Sequence, residues 1–126
     1  MRLLVDTSVL IDHLRGVDAA TARLTEAVNA GDELWSLTIV RTEILAGAGR
    51  GQDRATRKLL GAFKWQELSA DIADRAGDLA RRYRKANPQV DTVDYLVAAA
   101  ATALKAELLT QTPKRFPMFS KLRSAY

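Results

Sequence analysis

The chain has 126 residues, 48% of them apolar and 27% charged, which suits one packed domain and leaves little room for a second. With no cysteine and a single histidine, His13, it excludes disulfides, thiolate zinc sites, cysteine nucleophiles and any centre built on several histidines. The net charge is +4, no apolar run approaches the ~20 residues of a membrane span, and Asp6 interrupts any signal-peptide core, so a cytoplasmic protein without membrane association is expected.

Residues 2–5 (Arg-Leu-Leu-Val) read as a short buried strand. From Thr7 to Leu14, Val9, Leu10, Ile11 and Leu14 recur at helical spacing, and Gly16 ends that helix. Asp18 is the expected cap of a second helix running to about Ala30, with Gly31 after it. Glu33 to Leu37 reads as the second strand, and Thr38 as the cap of a helix reaching about Gly47. A glycine-rich break (Gly47, Gly49, Gly51) precedes a helix over roughly Gln52 to Ala62 and a third strand over Phe63 to Leu68. Ser69 to Ala86 is the clearest helix, with Ile72, Ala76, Leu79, Ala80 and Tyr83 on one face and the basic run Arg81, Arg82, Arg84, Lys85 near its end. Asn87-Pro88 stops it. Asp91 to Ala106 is the next helix, small on every side from Ala98 to Ala101, and Glu107 to Leu109 is a last short strand before a Thr-Gln-Thr-Pro turn. In the tail, Lys114, Arg115, Lys121 and Arg123 meet no acid. Residues 1–63 hold eight basic and eight acidic side chains and residues 64–126 eleven and seven, so the whole positive excess lies in the second half. It suits either a polyanion such as nucleic acid or a plain solvated helix end and tail.

Strands alternating with helices imply an α/β domain: a short, mainly parallel sheet of about four to five strands flanked by helices. Ligands of such sheets bind beyond the carboxyl ends of the strands. That rule selects Asp6, the Thr38 to Glu43 segment and Thr110 to Thr112. Asp6 taken alone reads as a helix cap. Glu43 lies four residues after Ile39 and three after Val40, on an apolar helix face, where a carboxylate is costly unless a cation or an ion pair with Arg41 or Arg2 meets it. Asp94, in a first helical turn, reads either as a complement to the helix dipole or as a group projecting into the crevice while Asp91 caps. Together the three acids come from distant parts of the chain and would repel without a cation. An all-oxygen site of this kind suits Mg²⁺ or Mn²⁺, which can activate water against a phosphodiester. No Walker loop, Rossmann fingerprint or Gly-x-Ser-x-Gly elbow offers another chemistry.

These residues resemble a known family. Leu3-Leu-Val-Asp-Thr-Ser-Val-Leu-Ile-Asp12, Thr42-Glu-Ile-Leu-Ala-Gly47, Asp94-Tyr-Leu-Val-Ala-Ala-Ala-Ala101 and Leu108-Leu-Thr-Gln-Thr112 with Phe116 are similar, in order and spacing, to the four motifs of PIN-domain ribonucleases, specifically the VapC-type toxins of bacterial toxin–antitoxin pairs. The resemblance spans essentially residues 1–126. It implies a Mg²⁺- or Mn²⁺-dependent endoribonuclease with Asp6, Glu43 and Asp94 as catalytic and metal-binding acids, and hydroxyl support from Thr7 or Ser8. It also implies a homodimer and a VapB-type antitoxin partner. Two departures stand out. Thr112 replaces a frequent fourth acid or amide, leaving Asp91 as a candidate further ligand with Thr110 and Thr112 in support. Arg115 replaces a usual histidine and, with Lys114, is a candidate RNA contact. The rival readings are a phosphoacceptor domain, which lacks its second acid here, and a catalytically degenerate module that binds RNA or protein.

Overall fold

A computed structural model describes all residues, Met1–Tyr126. Four strands form one all-parallel sheet: β1 (Arg2–Val5), β2 (Glu33–Leu37), β3 (Lys64–Gln66) and β4 (Glu107–Leu109), in the order β3-β2-β1-β4. Successive side chains of a strand point to opposite faces, yet Leu3, Leu4 and Val5 are all buried, so helices cover both faces of β1. The helices are α1 (Thr7–Leu14), α2 (Asp18–Asn29), α3 (Thr38–Gly47), α4 (Asp53–Gly61), α5 (Ala70–Tyr83) and α6 (Thr92–Ala103), with a 3₁₀ turn at Pro113–Arg115. Helix α6 is buried from Asp94 through Ala101. Its alanines permit close packing against the sheet and α5, as the small-residue run anticipates. No helix is long and apolar enough to cross a membrane.

The strand order creates the site. The chain moves outward from β1 to β2 and β3, then returns to place β4 on the other side of β1. The connections leaving β1 and β4 therefore diverge, and a crevice opens at their carboxyl ends. Leu4 is in register with Leu108 and Val5 with Leu109, and the ladder continues one step as the Asp6 amide donates to the Leu109 carbonyl at 2.9 Å. Asp6 and Thr110 thus emerge side by side.

Several element ends differ from expectation. Val17, not Asp18, is the residue at the N-cap of α2, and Asp18 is its first helical residue. Leu37 likewise precedes α3; Thr38 is its first residue, and its Oγ1 instead accepts the Leu68 amide at 3.2 Å. β3 is shorter than residues 63–68. α5 ends at Tyr83, short of Ala86, and the Asn87 amide and side chain both donate to the Tyr83 carbonyl, at 3.0 and 2.9 Å. α6 ends at Ala103 without a glycine. Lys105 takes φ 53° and the Ala106 amide reaches back to the Ala101 carbonyl at 2.9 Å, the Schellman closure that Gly16 and Gly31 make after α1 and α2.

Candidate active site

Asp6 is at the centre of the crevice. It is the N-cap of α1, its Oδ1 accepting the Thr7 amide at 2.8 Å. Thr7 is the first helical residue, whereas a capping side chain accepts from the second or third, so capping alone does not explain this carboxylate. Asp6 is 6% exposed, and its other oxygen accepts from Thr110 Oγ1 at 2.8 Å and Ser8 Oγ at 3.3 Å. Burial pushes its carboxyl above the ordinary 3.8, while the hydrogen bonds from Thr110, Thr7 and Ser8 pull the other way. Ser8 in turn accepts the Gln111 amide at 3.1 Å, and Thr110 the Thr112 amide at 3.0 Å. The turn after β4 is thereby stitched to the turn after β1.

Asp91 and Asp94 form a reciprocal capping box at the start of α6. The Asp94 amide donates to Asp91 Oδ1 at 3.0 Å and the Asp91 amide to Asp94 Oδ2 at 3.0 Å. The expected division of labour holds in part, since Asp91 caps but Asp94 caps back. Asp94 is 6% exposed, and burial raises its carboxyl from 3.8 to about 6; the charges of Asp91 and Asp6 add to that rise, while the Asp91 amide and Arg115 oppose it.

Glu43 arrives differently from expectation. It is exposed, so the cost of a half-buried carboxylate does not arise. It pairs with neither suggested base: Arg41 lies over the Trp65 ring at 5.2 Å and Arg2 turns to Glu33. Its one hydrogen bond is from Thr7 Oγ1, at 2.8 Å, across 36 residues of chain. That bond ties α3 to the residue next to Asp6, and Glu43 faces the same cavity.

Asp6, Thr7, Ser8, Glu43, Asp91, Asp94, Thr112 and Arg115 line one cavity of about 230 Å³, with Ile11 and Val93 as its apolar wall. Thr110 is wholly buried behind it. Lys114 is exposed and lines no part of it, nor do Arg81, Arg82, Arg84 and Lys85; the one basic side chain in the cavity is Arg115. The sequence did not signal that Arg115 reaches both Asp91 and Asp94, nor that Gln111 belongs to the hydrogen-bonded frame. A larger cavity of about 650 Å³ lies between β4 and the tail residues 118–125, but Glu107 is its only acid and no set of carboxylates converges there.

The donor set of the smaller cavity is all oxygen, which fits a hard divalent cation, and the raised carboxyls of Asp6 and Asp94 are groups whose ionised form such a cation would favour. The acids are not drawn into a closed ligand cluster as they stand. Each has another partner: Thr7 for Glu43, Thr110 for Asp6, Arg115 for Asp91 and Asp94.

The PIN domain sequence profile matches residues 3–117. The chain belongs to the PIN-domain family. Among curated PIN proteins it is 42% identical to ribonuclease VapC19 of Mycobacterium tuberculosis over 123 residues, 98% of each chain. It is 38% identical to ribonuclease VapC10 of the same organism over 125 residues, 98% of this chain and 92% of that one. Among solved structures, a toxin–antitoxin complex from Klebsiella pneumoniae superposes with a TM-score of 0.77 at 27% identity, covering 98% of both chains. The expected PIN architecture, a single domain with a parallel central sheet flanked by helices, is the one observed.

Proposed function

We propose that this PIN domain is the toxin of a toxin–antitoxin pair, an endoribonuclease that hydrolyses RNA phosphodiester bonds with Mg²⁺ or Mn²⁺ held by Asp6, Glu43 and Asp94. The observation that carries the reading is convergence: three acids separated by 37 and 51 positions line one cavity at the point where the strand order reverses. The 42% identity to a named ribonuclease over 98% of the chain supports the same chemistry. The ion, when bound, supplies Lewis acidity that neutralises charge on the phosphodiester and makes water a better nucleophile.

The chain's own groups do the positioning. The Thr7 amide, Ser8 and Thr110 fix both oxygens of Asp6, so its direction is set before any ligand arrives. Thr7 orients Glu43 from the other side. Asp91 supplies a further carboxylate where Thr112 offers only a hydroxyl. Arg115, alone among the basic groups at the cavity, is placed to meet a phosphate, and the other basic groups of the second half add salt-sensitive backbone affinity. A VapB-type antitoxin, homodimerisation and a cytoplasmic setting complete the reading; the Klebsiella neighbour is itself a toxin–antitoxin complex.

The test is RNA cleavage by purified protein with Mg²⁺ or Mn²⁺, with EDTA, and as Asp6→Asn. Cleavage that needs the ion and the Asp6 carboxylate is expected; equal activity under all three conditions overturns the proposal. The open arrangement of the acids and Thr112 in place of a fourth one favour a second reading, a catalytically degenerate module that binds RNA or protein. Calorimetric titration with Mn²⁺ separates the two, because only the enzyme should bind the ion through these carboxylates.

A further inference from the structure

Arg115 leaves the 3₁₀ turn after β4 from a fixed base. Its amide bonds to the Thr112 carbonyl at 2.9 Å, and its neighbour Phe116 is fully buried. From there its Nη1 lies 3.6 Å from Asp91 Oδ2 and 3.6 Å from Asp94 Oδ2. One guanidinium nitrogen thus bridges the two acids that cap α6, and its charge also reaches Asp6. The side chain is 47% exposed, so nothing packs it permanently into the cavity. Asp91 Oδ1 and Asp94 Oδ2 each accept a backbone amide; the arginine faces the remaining Asp91 Oδ2 and shares Asp94 Oδ2 with the Asp91 amide.

We infer that Arg115 is a resident counter-ion of the divalent site: its guanidinium occupies the Asp91 and Asp94 oxygens in the metal-free protein and must leave them for a divalent cation to bind. This rests on the divalent-site reading above. Three positive charges, two from the ion and one from the guanidinium, repel at a few ångströms, so the two cations compete for the same carboxylates. The bridge also accounts for the open arrangement of the acids, since Asp91 and Asp94 are aimed at the arginine rather than at a common centre with Glu43. Arg115 is on this view a tuning residue. It bridges two crowded acids while no ion is present, at the expense of metal affinity.

The experiment is calorimetric titration of Mn²⁺ into the whole protein, as wild type, Arg115→Gln, Arg115→Met and Lys121→Gln, with thermal melts of each in Mn²⁺ and in EDTA. Lys121→Gln removes one charge from an exposed position on the same C-terminal segment, outside the cavity. Exposed and half-exposed ion pairs are modest, so the Arg115 variants should bind Mn²⁺ roughly three- to ten-fold more tightly, with Lys121→Gln at the wild-type value. They should also melt lower than wild type in EDTA and close that gap in Mn²⁺. Unchanged or weaker binding by both Arg115 variants overturns the inference, as does an equal gain in Lys121→Gln, which would make the effect one of net charge. Absence of Mn²⁺ binding in wild type and Arg115 variants alike overturns the divalent-site reading and the inference with it, and is distinguishable from the other outcomes.

Discussion

Thr110 Oγ1 donates a 2.8 Å hydrogen bond to Asp6 Oδ2 across 104 residues of sequence, and both groups are buried. The bond exists because β1 and β4 are neighbours in parallel register, so the first residue beyond each strand meets the other. A hydrogen bond to a buried carboxylate contributes about 1.5–3 kcal/mol, and losing it leaves the charged form of Asp6 less favoured. Thr110→Val should therefore lower thermal stability and cut RNA cleavage by roughly ten-fold, with part of the loss recovered as pH rises. Thr110→Ser should retain most of both. Measuring cleavage against pH for the three proteins checks this. A Val variant as active as wild type at every pH would show that the hydroxyl does not hold Asp6 for catalysis.

Asp94 makes a prediction about pH with a definite sign. Its folded carboxyl sits at about 6 against an ordinary 3.8. Between those values the folded state binds more protons than the unfolded one, so stability from this group falls as pH rises through that window. Asp94→Asn removes the group. In EDTA the variant should be the more stable protein at pH 7, by about 1 kcal/mol after allowance for the partner charge of the half-exposed Arg115, and should lose that advantage by pH 4. Denaturant melts at pH 4, 5, 6 and 7 measure the difference; a constant gap across the series contradicts the assignment.

Much of this was legible in the sequence, for local reasons. Strand–helix alternation implies the sheet, and the rule about carboxyl ends points to Asp6, Glu43 and Thr110. What failed was long-range. The spacing of Glu43 predicts burial on an apolar helix face, yet it is exposed, and its tie to the site is Thr7, which no spacing within α3 could suggest. Asp91 and Asp94 are readable as a cap and its neighbour, and their reciprocal box is local, but the Arg115 bridge depends on where the chain after β4 returns. Helix ends marked by glycine are legible in the sequence, whereas the end of α6 is marked by Lys105, and its apolar pattern runs on to Ala106.

Lys105 itself supplies the third prediction. Its φ of 53° lies in the left-handed region, where a side chain costs about 1 kcal/mol relative to glycine. The side chain is exposed and no contact holds it there. Lys105→Gly should raise stability by about 0.5 kcal/mol without affecting cleavage, because glycine lowers the strain by more than it adds unfolded-state freedom. An unchanged or lower melting temperature would mean that the α6 closure is not strained.

Tyr95 gives the last. It follows Asp94 on α6, its ring is buried in the core at 1% exposure, and its hydroxyl has no hydrogen-bond partner. A buried hydroxyl without a partner costs about 1–3 kcal/mol, whereas the ring contributes apolar burial that phenylalanine would keep. Tyr95→Phe should therefore be neutral to stabilising, and because the ring still fills the same volume behind Asp94, cleavage should stay within about two-fold of wild type. A destabilisation of more than about 1 kcal/mol in denaturant melts would mean that the hydroxyl has a partner in solution, and a loss of cleavage at unchanged stability would make Tyr95 a positioning residue for Asp94.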